Sequence, residues 1–110
     1  MIGMKTVQLG GYEASFDNTD PAFLKKYEQA AAYYTRQISR VKPNGSASAM
    51  MSRVVRVFEK TFAILFGADA AAQMLGERRS VDECLSIYQA LVTAVNDFSG
   101  TLEQIDRIGR

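Results

Sequence analysis

Two glycines, Gly67 and Gly76, stand nine positions apart in GADAAAQMLGERRS, and Arg78 and Arg79 follow the second. Glycines let a backbone wrap closely around a phosphate, and guanidinium forks suit the same group. The spacing nevertheless fits neither phosphate-binding loop. The stretch contains no GxxxxGK[ST] and no GxGxxG, and it follows a helical pattern where those loops follow a strand. Each glycine is sufficiently explained as a helix C-cap. The stretch therefore reads as a joint between helices, with Arg78 and Arg79 either on a solvated turn or against a partner's carboxylate or phosphate.

Other chemistry is equally restricted. The chain has no histidine and one cysteine, Cys84. Ser-His-Asp and Cys-His catalysis are thereby excluded, and no cysteine cluster is available for zinc. Cys84 falls on an apolar helical stripe and reads as a small core residue. Asp82 and Glu83 head a helix, where the macrodipole and capping account for both. Asp97, Glu103 and Asp106 fall on the polar side of the last helix without basic or aromatic companions at a spacing that would shape a substrate site. The expectation is a protein that is not an enzyme and needs no metal or cofactor.

Charge offers partners rather than reactions. Lys and Arg number 13 against 12 Asp and Glu, a net +1. The two signs are separated along the chain. Residues 25–60 hold Lys25, Lys26, Arg36, Arg40, Lys42, Arg53, Arg56 and Lys60 against Glu28 and Glu59, whereas from Asp69 onward seven acidic residues face four arginines. Such a dipolar chain suits steering toward a charged partner or self-association. The basic segment is also an alternative nucleic-acid surface. Its aromatic residues fall mostly on an apolar stripe, however, where core packing claims them, and the net charge is far from that of a nucleic-acid binder. Tyr33 lies off that stripe and reads as an exposed interface residue. Met50 and Met51, at the head of the second long helix, fit either an adaptable apolar contact or core filling.

The elements that must position these residues follow from periodicity. KTVQLGGYEASF, residues 5–16, reads as a β-hairpin turning at Gly10-Gly11, with both glycines at positive φ. Pairing Leu9 with Tyr12 and Val7 with Ala14 puts these four on one face, with Thr6, Gln8, Glu13 and Ser15 on the other. Asp20-Pro21 caps a helix over 20–42 whose stripe is Phe23, Tyr27, Ala30, Ala31, Tyr34, Ile38 and Val41. VKPNGSAS is a connector whose serines can cap a second helix over 47–66, with Met51, Val54, Val55, Phe58, Phe62 and Leu65 on a broad face. Gly67 ends it in the left-handed capping conformation. A short helix follows over 69–75. Ser80 and Glu83 then form a capping box for a last helix over 80–108, either long or kinked near Gly100, with Val81, Cys84, Leu85, Tyr88, Leu91, Val92, Val95 and Phe98 on its stripe.

With 110 residues, 47% of them apolar and 23% charged, the chain fits one mainly helical α+β domain, a hairpin followed by a bundle of three longer helices and a short helical turn. Its longest apolar runs are far short of the ~20 residues that span a bilayer. The opening MIGMKTVQLGG lacks a secretory pattern, so a cytoplasmic location is expected. A chain this small, spread over several amphipathic elements, leaves apolar faces uncovered, and self-association into a homo-oligomer is a further expectation.

Taken in order, VQLGGYEASF, DPAFLKKYEQA, FAILFG and MLGERRSVDECLSIYQALVTAV resemble the small tail-assembly-chaperone-like proteins of phages and prophages of Gram-positive bacteria. In those proteins the joint reads FGxGT, then a second FGG and an asparagine before the last helix. Phe66 and Gly67 match, Leu75 replaces the second aromatic, and Ser80 stands at the capping asparagine. The resemblance implies a protein of the bacterial host cytoplasm that binds the tape-measure protein, keeps its apolar helices soluble and helps recruit tail tube protein. Tyr33, Met50, Met51, Arg78 and Arg79 are the partner-binding candidates. A small nucleic-acid-binding regulator and a minor structural virion protein are the alternatives.

Overall fold

The computed structural model describes residues 4–43, 45–77 and 80–108. It contains a hairpin, β1 (Met4–Leu9) and β2 (Tyr12–Asp17), followed by α1 (Pro21–Arg40), α2 (Ala47–Phe66), α3 (Ala68–Leu75), α4 (Val81–Val95) and α5 (Ser99–Ile108). The α+β, mainly helical architecture is the one expected. The strands pair antiparallel with Leu9 opposite Tyr12, Val7 opposite Ala14 and Lys5 opposite Phe16, the expected register. Leu9, Ala14 and Phe16 are buried. A two-stranded ribbon is marginal alone, and here β1 packs on α4 and β2 on α3.

The turn differs from expectation. Only Gly10 has positive φ, at 62°, as in a type II′ rather than a type I′ turn. The second glycine is needed for a different reason. A Cβ on Gly11 would strike the carbonyl oxygen of Gln73, and one on Gly10 would strike that of Met74. Gly11 N–H donates to Met74 O at 3.4 Å, so the turn caps the end of α3.

Local chemistry sets the helix boundaries. Asp20 Oδ1 accepts from Ala22 N–H at 3.0 Å, Ser46 Oγ from Ala49 N–H at 3.2 Å and Ser80 Oγ from Glu83 N–H at 3.1 Å. Gly67 does break the chain between α2 and α3, but at φ 93°, ψ 162° rather than in the left-handed helical region. That extended, positive-φ backbone is essentially restricted to glycine, and it lets α3 begin at once, at Ala68.

The expected single helix over 80–108 is two helices, and the break falls at residues 96–98, ahead of Gly100. Side chains cause it. Asn18, fully buried after β2, donates from Nδ2 to the carbonyls of Val95 at 3.0 Å and Asp97 at 2.9 Å. Asp97 Oδ1 then accepts from Ser99 N–H at 3.3 Å and Ser99 Oγ at 2.8 Å, starting α5.

Two aromatic groups tie α1 and α2 to the rest. Phe16 stacks on Phe23 at 4.7 Å with Phe66 beside both, and Tyr34 lies 4.6 Å from Tyr88 and 5.0 Å from Phe58. The core joins these rings to Leu9, Leu65, Met74, Cys84, Leu91 and Val95. By contrast Leu102, Ile105 and Ile108, which continue the stripe in sequence, are 62%, 59% and 77% exposed on α5. The radius of gyration is 15.9 Å, against about 13 Å for a compact domain of this length. The excess, and a longest dimension of 60 Å against 26 and 20 Å, fits an α5 without extensive packing against any other element.

Gly10→Ala combines a positive-φ cost with a backbone collision and should lower unfolding free energy by about 3–5 kcal/mol. Gly67→Ala meets no atom within 4 Å and should cost only about 1–3 kcal/mol. Urea denaturation of both variants tests this, and equal losses would refute the docking of the turn on α3. Asn18→Ala leaves two helix-end carbonyls unpaired, so a loss of about 1–3 kcal/mol is expected. Amide exchange at 99–108 should accelerate more than in α2; uniform acceleration would contradict the local role.

Candidate functional site

Among the described residues no group of three or more His, Cys, Asp or Glu is placed to hold a metal ion. Perturbed titrations have structural causes. Burial raises the Tyr34 and Tyr88 hydroxyls above their ordinary range, and Tyr27 and Tyr34 add to the effect at Tyr88. Asp17 is held low by hydrogen bonds from Thr19, and Asp97 by hydrogen bonds from Ser99 and then by Lys5 at 3.5 Å. The remaining candidates are surfaces that can hold another molecule.

The first lies between α1 and α2, a shallow groove of about 270 Å³. Residues 33, 37 and 40 recur on one face of α1, and 53, 56 and 60 on one face of α2. Tyr33, Gln37, Arg40, Arg53, Arg56 and Lys60 line it, with Val41 and Val57, and no carboxylate is among the lining residues. Helix packing thus gathers four members of the basic segment around Tyr33. That tyrosine is half-buried rather than exposed, and Arg36 lies 6.0 Å from its ring centroid.

The second surface joins the head of α2 to the head of α4. Met51, Ser52, Val55, Ser80, Val81 and Asp82 line a depression of about 720 Å³. Met51 is 41% exposed, so it serves as surface and not as core filling, while Met50 beside it is half-buried. Leu85, one turn beyond Val81 and read from the sequence as core, is 38% exposed.

The third is a cleft of about 760 Å³ bounded by the hairpin turn, the end of α3 and the first turns of α4. Gly10 and Gly11, with Met74, Leu75 and Ile87, supply its apolar surface, and Glu77, Asp82 and Glu83 are the charged residues among its described lining. Asp82 belongs to both the second and third surfaces.

The structure thus separates Tyr33 from Met51, placing them in different grooves, and Arg78 and Arg79 lie outside the described residues. Sequence reasoning missed the cleft at the hairpin turn, whose carboxylates were explained as helix caps, and the exposed stripe of α5, which continues the core periodicity. The available signal was the Asn96-Asp97-Phe98-Ser99-Gly100 run, a cluster of cap and turn residues interrupting that stripe.

A profile described as a family of unknown function, DUF6673, matches residues 10–107. The chain belongs to the DUF6673 family. No curated protein and no solved structure matches it. In this DUF6673 chain the match takes in α1 to α4, α5 as far as Arg107, the second strand and the glycine turn, and with them each of the three surfaces. No helix among its described residues is long and apolar enough to cross a membrane.

Asp97 yields a pH prediction. Its folded carboxyl titrates below the ordinary 3.8, so it stabilises the fold above that pH, and the contribution is lost as pH falls through the folded value. Asp97→Asn should therefore lower the urea midpoint at pH 7 and narrow the gap between the midpoints at pH 7 and pH 3. An unchanged gap would show that Asp97 does not hold the α4–α5 joint.

Proposed function

We propose that the protein is a non-enzymatic phage tail assembly chaperone that binds the tape-measure protein and assists tail tube assembly in the host cytoplasm. The observation that carries this reading is α5, an amphipathic helix whose Leu102, Ile105 and Ile108 are its most exposed apolar residues and which lacks extensive packing on the rest of the chain. Exposed apolar faces of this kind mark sites where another chain packs. Residues at three-residue spacing are the anchors by which one amphipathic helix meets another. Long apolar helices, as expected of a tape-measure protein, would bury this stripe and be shielded by it.

Two further features support the reading. The quoted segments of hairpin, helix start and helix joint resemble tail-assembly-chaperone-like proteins. The Met51 depression adds a second apolar patch with a flexible thioether, adaptable to a repetitive partner.

Co-expression with a phage tape-measure protein should raise that protein's soluble yield and give a complex that co-purifies. Leu102→Glu/Ile105→Glu, at exposed positions, should leave thermal stability within about 0.5 kcal/mol per site and abolish both effects. No gain in solubility with the wild-type chain would refute the chaperone reading. A complex that survives the double substitution would move the contact away from α5. Mass spectrometry of purified particles separates a chaperone, expected to be absent, from a minor virion protein.

A further inference from the structure

We infer that the groove between α1 and α2 is a recognition site separate from the α5 stripe, and that it takes an acidic segment of a partner protein. Arg40 of α1 and Arg53, Arg56 and Lys60 of α2 line it, and no carboxylate is among the lining residues. Every Asp and Glu of the sequence lies within the described residues, so no acidic side chain is left unplaced that could neutralise it. Arg40, Arg56 and Lys60 are exposed and make no side-chain hydrogen bond or ion pair among the described residues. Clustered cations of this kind steer an anionic partner and fix its orientation.

The cluster works against the fold that carries it. Arg56 and Lys60 stand at i,i+4 on α2 with Arg53 one turn before them, a spacing at which like charges repel. Arg40, in the last turn of α1, at least meets the negative end of its own helix. Arg56 and Lys60 are too far from either end of α2 for such a return. Residues that oppose local stability are expected where a surface serves binding. Tyr33 and Gln37 add an aromatic face and an amide beside the cations, and tyrosine and arginine are enriched at protein interfaces.

Guanidinium forks hold carboxylates and phosphates alike, so the extent of the site has to separate the two. Residues 53–60 span only about 10 Å of helix, as do residues 33–40 on the facing wall. At the opposite end of the same helix pair, where α1 begins and α2 ends, the surface carries Asp17 and Asp20 with a single Lys26. A nucleic-acid strand continued along the pair would run onto those carboxylates. Two or three glutamates at i,i+4 spacing, about 6 Å apart on a partner helix, fit within the basic stretch. The net charge of +1 also falls short of the broad positive field that binds a phosphate backbone. Both features favour an acidic protein segment.

The test is fluorescence anisotropy of labelled probes with the full-length chain at low and high salt. The probes are an alanine-based helical peptide bearing Glu at i,i+4 spacing, the same peptide with Lys in place of Glu, and single-stranded and duplex oligonucleotides. The Glu peptide should bind in a salt-sensitive manner and the Lys peptide should not. Arg56→Gln/Lys60→Gln should weaken Glu-peptide binding at least about tenfold. Its urea midpoint should be unchanged or raised, because Gln matches Arg and Lys in helix propensity and the like-charge pair is gone. Arg56→Glu/Lys60→Glu should exchange the preference and bind the Lys peptide. Lys25→Gln/Lys26→Gln, which removes the same charge from exposed positions of α1 outside the groove, should leave Glu-peptide binding unchanged. Failure of the wild-type chain to bind the Glu peptide at low salt would overturn the proposal, as would an equal loss in the Lys25/Lys26 variant. A lowered midpoint in Arg56→Gln/Lys60→Gln would make the cations structural and overturn it too. Tighter binding of either oligonucleotide than of the Glu peptide would overturn it and assign the groove to phosphates.

Discussion

The approach of the hairpin turn to the end of α3 is the contact on which the rest of the fold depends. A two-stranded ribbon gains stability only by burying one face, and this one buries Leu9, Ala14 and Phe16 against the helices. The turn comes close enough because neither glycine carries a Cβ, and Gly11 N–H caps Met74 O in the process. With that spacing set, β2 lies on α3 and β1 on α4, and Phe16 meets Phe23 of α1 and Phe66 of α2. Helices distant in sequence are thereby held through one ribbon. The same contact forms a wall of the cleft that Glu77, Asp82 and Glu83 line, so that concave surface is a by-product of the packing that stabilises the domain.

A second polar constraint decides where the bundle stops. Asn18 is fully buried, which is costly for an amide unless it is hydrogen-bonded. Its Nδ2 satisfies two carbonyls at the end of α4, while Oδ1 accepts no bond among the described residues. The interaction therefore rests on the donor side of one amide. Its effect is directional. By taking the carbonyls of Val95 and Asp97 it favours an end to α4, and Asp97 then starts a new helix through Ser99 while Lys5 holds it from β1. The apolar stripe of α5 consequently departs from the core whose sequence periodicity it continues.

What the sequence revealed and what it concealed divide along physical lines. Hairpin register was legible because period-two alternation around Gly10-Gly11 leaves one pairing that buries Leu9 and Ala14 together. Asp20, Ser46 and Ser80 were legible as caps because a helix start needs an acceptor within three residues, a local requirement. The α4–α5 break was not, since its cause is Asn18, 77 positions away from Val95. Gly11 was misread for a similar reason. A pair of glycines in a turn signals positive φ locally, but only tertiary contact reveals that the second is there to clear Gln73. At the surfaces, Tyr33 was singled out because it lies off the stripe of α1, and Met51 because an adaptable thioether stands at the head of α2. The carboxylates of the cleft were assigned to capping, which accounts for Asp82 and Glu83 on their own helix but not for their convergence with Glu77.

The surfaces that remain are distributed so that they need not compete. No residue of α5 lines either the basic groove or the cleft at the hairpin turn. A helical partner seated on Leu102, Ile105 and Ile108 would therefore leave both of those surfaces open. Each stripe by itself is short, three apolar residues on a helix of 10, and a single such contact is weak. A partner helix that repeats the same apolar face would seat several copies of the chain in a row, each adding one such shallow contact. A small domain with a modest apolar face would in this way shield a long, repetitive helix through many shallow contacts.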